Sequence, residues 1–145
     1  MTRLPCLVVL CLTACRPAPP APAPRPPSPE TSENPRWEAV WEDARRRGVD
    51  FRGLGQEPGW YVEVKEGEAV LLVADYGERR VVTPAPSKTV QSTRTTYRAR
   101  TAEHTLSIVV EATPCNDAMS GIPFEATVTV TLDDQEYRGC GRALP

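Results

Sequence analysis

FEATVTVTLD, residues 124–133, alternates apolar and polar side chains without a break. Successive side chains of an extended chain point to opposite faces, so this alternation predicts a strand with one buried and one solvated face. The buried face would carry Phe124, Ala126, Val128, Val130 and Leu132. The solvated face would carry Glu125, Thr127, Thr129, Thr131 and Asp133. Such a strand is typical of an antiparallel sheet that covers a core with one face.

Short alternating segments separated by turn residues lie on both sides of this strand. We predict further strands at residues 60–65, 69–74, 80–83, 95–101, 105–111 and 136–140. The breaks between strands contain the turn-forming sequences Glu66-Gly67, Asp75-Tyr76-Gly77 and Asp133-Asp134-Gln135. Pro84 and Pro86 predict a loop over residues 83–92, because proline donates no hydrogen bond to a neighbouring strand.

A single good helical pattern precedes the strands. Its apolar residues are spaced i, i+3, i+4 and i+7, which gives one stripe made of Trp37, Val40, Trp41 and Ala44. Asn34 and Pro35 are typical of a helix start, and the three arginines at 45–47 are typical of a helix end.

These elements predict a mainly β domain with one N-terminal helix. Six to seven strands would form an antiparallel meander that is curled into a small barrel or half-barrel, because curling protects the edge strands. The helix would cover one opening of the barrel. A two-sheet β-sandwich is the alternative, and periodicity alone does not separate the two architectures.

Residues 1–14 are typical of a secretory signal. Arg3 precedes an apolar run, residues 4–12, that is too short to span a bilayer. Leu12-Thr13-Ala14-Cys15 resembles the bacterial lipobox, in which the cysteine is acylated and the chain is cut before it. We therefore expect the mature chain to begin at Cys15 and to be held to a lipid bilayer by acyl chains.

Residues 15–35 combine the lipidated cysteine with a proline-rich linker. Nine of the twenty residues from 16 to 35 are proline, and this composition favours extended polyproline II conformations over a packed core. We predict a disordered spacer here. Residues 36–145 then form a single β-rich globular domain, a length that suits one small core.

The signal and the linker predict a protein of the cell envelope. In Gram-negative lipoproteins, Asp after the acylated cysteine commonly signals inner-membrane retention, and this chain has Arg16 there. For a Gram-negative source we expect an outer-membrane anchor that faces the periplasm. Without Arg3 the formal charge is about −3, which is mild and evenly mixed, so we expect no nucleic-acid partner.

The five cysteines divide by position. Cys6 and Cys11 leave with the signal and Cys15 carries lipid, so Cys115 and Cys140 remain as a pair. In an exported chain this pair predicts a disulfide, which the chain-entropy model values at about 3–4 kcal/mol for a loop of this length. We expect no metal and no cofactor, since His104 and the two cysteines lack the spacing of a zinc site.

Three motifs carry a resemblance to a known family. They are FRGLGQEPGW at 51–60, CNDAMSG at 115–121 and GCGRAL at 139–144. The chain resembles, over about residues 51–144, a family of small bacterial envelope lipoproteins labelled membrane-like and loosely grouped with META-type heat-shock lipoproteins. Many relatives carry Asn where this chain has Gln56. The resemblance implies an envelope lipoprotein and supplies no substrate, cofactor or catalytic residue.

The motifs hold the candidate site residues. Glu57 and Asp117 are the best pair for acid–base chemistry of the kind that hydrolyses glycosides. The competing interpretation is that Glu57 bonds within its loop and Asp117 caps the turn that follows it. Ser120 has no identifiable base. Arg142 would pair with Asp117 or Glu57 once the disulfide brings the segments together. We expect a cluster, for binding or for bracing, of Glu57, Trp60, Asp117, Ser120 and Arg142.

The sequence favours a non-catalytic, membrane-anchored module over an enzyme. Its partner would be an envelope protein, a glycan or a small apolar ligand. An inhibitor of cell-wall hydrolases is the first alternative, although no inhibitory loop motif is recognisable. A weak hydrolase that uses Glu57 and Asp117 is the second.

Overall fold

Residues 35–145, the part of the chain that this computed structural model describes, contain one α-helix, eleven strands and a short 3-10 turn at Asp75–Gly77. The helix α1 spans Pro35–Arg46. The strands are β1 (Phe51–Gln56), β2 (Gly59–Lys65), β3 (Ala69–Ala74), β4 (Arg79–Pro84), β5 (Ser87–Gln91), β6 (Arg94–Arg100), β7 (Thr105–Glu111), β8 (Cys115–Asn116), β9 (Pro123–Phe124), β10 (Ala126–Leu132) and β11 (Gln135–Ala143). The predicted signal, the predicted acylation of Cys15 and the predicted linker as far as residue 34 lie outside the described residues. Within residues 35–145, no helix has the length and apolar character needed to cross a membrane.

The predicted alternation is realised in β10 from Ala126 to Leu132. Phe124, predicted to lie on the same face, belongs instead to β9 and packs with Trp41 in a separate cluster. Val128, Val130 and Leu132 are fully buried on the inner face of β10. They join one core that receives apolar side chains from all but one of the nine strands of the main sheet, among them Trp60, Val62, Leu72, Val81, Tyr97, Ile108 and Tyr137. The interior is therefore filled by side chains, as small curled sheets require.

The main sheet is antiparallel throughout and has the strand order β4-β3-β2-β1-β11-β10-β7-β6-β5. It consists of two runs of neighbouring strands that meet in the middle. There the first strand pairs with the last, with Phe51 opposite Ala143 and Leu54 opposite Cys140. A second sheet contains only the short pair β8 and β9.

The two edges of the main sheet, β4 and β5, are consecutive in the chain. Only residues 85 and 86 separate them. A chain covers about 3.5 Å per residue at most, so the edges lie within roughly 10 Å of each other at this point. A sheet of nine strands brings its edges so close only by curling round on itself. The fold is thus the mainly β half-barrel with one helix that the sequence predicted, and a single continuous sheet replaces the alternative sandwich.

The sheet has nine strands rather than six to seven, because two segments pair that the sequence did not mark as strands. Residues 51–56 contain Gly53 and Gly55, and glycine is unfavourable in strands. In β1 these glycines leave room for inward side chains: a Cβ on Gly53 would lie 3.2 Å from Val128. Residues 87–91, predicted as loop, form β5, an exposed edge strand that pairs with β6 alone.

The helix packs against the outer face of β1 and β11 and does not cover an opening of the barrel. Its Trp41 and Ala44 are buried in a second cluster with Leu54, Phe124 and Cys140. The ring centroids of Trp41 and Phe124 are 5.6 Å apart. The sheet is apolar on its outer side at this place, so the helix buries its stripe there. Val40, predicted to share that stripe, is exposed.

A group of charges lies beside the end of the helix, with Arg52 and Glu63 buried and Arg47 exposed. We name Arg47, Arg52 and Glu63 the Arg–Glu cluster. Glu63 accepts two 2.7 Å hydrogen bonds from Arg47 and another from Arg52, its cross-strand partner. Burial acts to raise the pKa of Glu63, but the two guanidinium groups outweigh it and lower that pKa. The guanidinium of Arg52 also lies 5.6 Å from the ring centroid of Trp41, and the guanidinium of Arg142 lies 4.4 Å from the same centroid.

The predicted disulfide between Cys115 and Cys140 is confirmed, with a Cα–Cα distance of 5.6 Å. It ties β8 to the outer face of β11. Cys140 is buried in the same cluster as Trp41, so the bridge fixes the loop that leads to β9 against the helix-bearing side of the sheet.

The Arg–Glu cluster generates a stability prediction. We expect Glu63→Gln to lower the free energy of unfolding by about 3–5 kcal/mol at pH 7, because it leaves the buried Arg52 without its counter-charge. The folded-state pKa of Glu63 is depressed, so its stabilisation is present above its ordinary pKa and is lost as the pH falls through the folded value. Urea denaturation at several pH values measures both effects.

Glu68→Gln is the matched control for this measurement. Glu68 is 72% exposed and lies 3.8 Å from Lys65, so we expect a change below about 0.5 kcal/mol. An equal loss of unfolding free energy in Glu63→Gln and Glu68→Gln would show that the Arg–Glu cluster does not hold the helix to the sheet.

Candidate functional site

Asp117 is buried and bonded within its own turn. Its Oδ1 accepts hydrogen bonds from the Ser120 hydroxyl at 2.6 Å, the Ser120 amide at 2.8 Å and the Met119 amide at 3.3 Å. Its Oδ2 accepts a 3.0 Å bond from the side chain of Gln56. Burial acts to raise the pKa of Asp117, but these hydrogen bonds outweigh it and lower that pKa. Asp117 therefore caps the turn and joins it to the end of β1.

Glu57 follows Gln56 in the chain and has a different hydrogen-bond partner from Asp117. It is exposed in the turn between β1 and β2, where its Oε2 accepts a 2.6 Å hydrogen bond from the hydroxyl of Tyr76. This hydrogen bond raises the pKa of Tyr76. Glu57 and Asp117 are thus held by separate groups, and neither hydrogen-bonds to the other.

The remaining members of the expected cluster lie in three different places. Trp60 is buried in the interior of the half-barrel, 6.2 Å from the ring of Tyr137. Ser120 is exposed, and its hydroxyl is engaged by Asp117. Arg142 faces the ring of Trp41 and lies 3.7 Å from Glu38 of the helix. Because outer residues of β11 face the helix, Arg142 does not pair with Asp117 or Glu57 as the sequence suggested.

A groove on the outer face, next to the turn between β1 and β2, has the features of a binding site. It has a volume of about 340 Å³. This lies near the lower end of the roughly 300–1,000 Å³ that is usual for small-molecule sites. It is lined by Arg52, Leu54, Gly55, Gln56, Gly59, Trp60, Tyr61, Val73, Tyr76 and Gly77. We name it the tyrosine groove, after Tyr61 and Tyr76 in its lining.

Tyr76 is held over the tyrosine groove by an uncommon backbone. Asp75, Tyr76 and Gly77 have φ angles of 53°, 57° and 96°, in the left-handed region that side chains other than glycine rarely adopt. The ring of Tyr76 covers Gly59 so closely that a Cβ there would lie 2.9 Å from Cδ1. Yet the Tyr76 side chain is 70% exposed. The fold therefore keeps a large aromatic ring in solvent at a cost in backbone strain.

Arg52 connects the tyrosine groove to the Arg–Glu cluster. Its guanidinium lies 4.5 Å from the ring centroid of Tyr61, and its side chain is 10% exposed. Its Nε is buried and has no hydrogen-bond partner among the described residues. Desolvation lowers the pKa of Arg52, although it remains a charged group in the wall of the groove.

Arg52, Tyr61 and Tyr76 are not among the site residues predicted from the sequence, although one signal for Tyr76 was available. Tyr76 sits in the turn Asp75-Tyr76-Gly77, where small and polar residues are usual and a large aromatic residue finds no core. Nothing in the sequence linked it to residues 52–61, because the pairing of β1, β2 and β3 creates that proximity.

The described residues contain no group of three or more His, Cys, Asp or Glu side chains that would hold a metal ion. Comparisons with protein-family models, curated proteins and solved structures find no match for this chain.

The hydrogen bonds of Asp117 generate a second prediction. We expect Asp117→Ala to lower the free energy of unfolding by about 1–3 kcal/mol at pH 7, because it removes the acceptor of three part-buried hydrogen bonds from Gln56 and Ser120. The folded-state pKa of Asp117 is depressed, so the loss of unfolding free energy that Asp117→Ala causes becomes smaller as the pH falls through that value. Chemical denaturation measures this loss of unfolding free energy. Asp134→Ala, in an exposed turn, is the control, and an equal effect there would contradict the capping role of Asp117.

Proposed function

We propose that this protein is a lipid-anchored component of the cell envelope whose folded domain is a non-catalytic binding module. In this proposal acylated Cys15 holds the chain to a lipid bilayer, and residues 16–35 space the domain from it. For a Gram-negative source the membrane is the outer membrane and the domain faces the periplasm. The partner is an envelope protein or a glycan, bound in the tyrosine groove.

Two observations support the envelope assignment. Cys15 ends a sequence that resembles a lipobox, and the three motifs quoted above resemble those of small envelope lipoproteins. The disulfide between Cys115 and Cys140 is stable in an oxidising compartment, such as a periplasm, and is rare in a reducing cytosol.

One observation carries the choice of binding over catalysis. The exposed ring of Tyr76 is held by its hydrogen bond to Glu57, on a turn of strained backbone, at the edge of an open groove, which is an arrangement suited to ligand contact. A hydrolase would need Glu57 and Asp117 to act together on one bond. Instead, both oxygens of Asp117 are used within the fold, and Glu57 is bonded to Tyr76. The geometry therefore favours a binding module.

The anchor generates a prediction about location. We expect Cys15→Ala to abolish incorporation of radiolabelled palmitate and to shift the protein from the membrane fraction to the soluble fraction or to an uncleaved precursor. The matched control is Cys11→Ala, which lies four residues earlier in the signal and leaves the acylated position intact. Membrane attachment without label in the unchanged protein would contradict the lipid anchor.

The tyrosine groove generates a prediction about capture. We expect the tagged full-length protein, extracted from envelopes in mild detergent, to recover a defined protein or glycan that Tyr76→Ala fails to recover. Val90→Ala is the control, because Val90 is 62% exposed on β5 and outside the groove. A cell-wall hydrolase among the recovered proteins would identify the module as an inhibitor. Equal recovery by all three forms would exclude the groove as the binding site.

A further inference from the structure

The aromatic surface of the tyrosine groove suits a ligand that presents C–H groups. Tyr76 offers an exposed ring, and Tyr61 is half-buried beside it. The face of an aromatic ring carries partial negative charge and attracts the partly positive C–H groups of a ligand that stacks on it. Leu54 and Val73 add aliphatic surface to the walls.

Planar polar groups surround that aromatic surface. Gln56 donates its amide to Asp117, which fixes the side chain and leaves its carbonyl oxygen without a partner among the described residues. Glu57 uses only one carboxylate oxygen for Tyr76. Arg52 adds donors from the wall of the groove. Hydrogen-bond donors and acceptors therefore lie close together, and they include a positive group, Arg52, and a negative group, Glu57.

We propose that the tyrosine groove binds a saccharide, with a pyranose ring stacked on Tyr76 and its hydroxyl groups bonded to Gln56, Glu57 and Arg52. This inference rests on the proposed function and names its ligand class. A pyranose combines an apolar C–H face with hydroxyl groups that both donate and accept, which matches the two kinds of surface in the groove. A purely apolar ligand would leave the polar groups unpaired, and an anion would face the carboxylate of Glu57.

The strained turn supports this assignment. The hydroxyl of Tyr76 donates a hydrogen bond to Glu57, so the ring is oriented while both groups stay at the surface. Orienting the ring before binding reduces the conformational entropy that the Tyr76 side chain loses when a ligand binds. The groove volume of about 340 Å³ suits one or two sugar rings and not a long polymer segment.

The test is calorimetric titration of the full-length protein in detergent with the tetramer of N-acetylglucosamine and with a glucose tetramer. We expect saturable binding of at least one of them. Tyr76→Ala should weaken it by about tenfold, which corresponds to the loss of one stacking contact. Tyr76→Phe keeps the ring and should weaken it by less, while Val90→Ala should leave it unchanged. Amide NMR shifts confined to residues 52–61 and 73–77 would support the same site.

The outcomes separate this inference from the proposed function. Absence of saturable binding to either sugar, or binding that Tyr76→Ala leaves intact, would overturn the saccharide assignment. Binding of a proline-rich peptide in place of both sugars would also overturn it, because aromatic grooves are used for such peptides as well. In each case the capture experiment with Tyr76→Ala still decides whether the groove binds an envelope partner. A circular dichroism spectrum unchanged from that of the parent protein confirms that each variant is folded.

Discussion

The pairing of β1 with β11 is the contact on which the rest of the structure depends. It joins the two runs of the sheet, and its outer face carries the helix and the disulfide. The two strands approach closely because β11 has glycine at the positions of closest contact. A Cβ on Gly139 would overlap the carbonyl oxygen of Leu54, and one on Gly141 would lie 2.7 Å from Phe51. A glycine-rich strand pair is weak by itself, so burial on both faces must stabilise it.

Each face of that strand pair is covered by a different kind of interaction. The inner face meets an apolar core, whereas the outer face combines the aromatic rings of the helix with the Arg–Glu cluster. Buried ion pairs add little net stability when compared with apolar packing, but they tolerate few alternative arrangements. Glu63 accepts from Arg47 of the segment after the helix and from Arg52 of β1, which fixes where the helix lies on the sheet.

The position of the helix on the sheet also leaves the tyrosine groove open. Helix α1 packs on the outer face of β1 and β11, and the groove lies on the outer face beside the turn that connects β1 and β2. Tyr76 reaches it from the turn after β3, in a conformation that local preferences oppose. Arg52 belongs to both regions, so the charge that positions the helix also forms a wall of the groove.

The sequence by itself determined the elements whose signals are local. Period-two alternation marked β10 and most other strands, helical spacing marked α1, and elimination among five cysteines identified the disulfide. Only the tertiary structure decided that residues 51–56 and 87–91 pair as strands, that the helix lies outside the barrel, and that Arg142 faces Trp41. These outcomes depend on which distant surfaces bury each other. Side-chain periodicity records that a face is buried, but the partner that covers it is chosen by the packing of the whole chain.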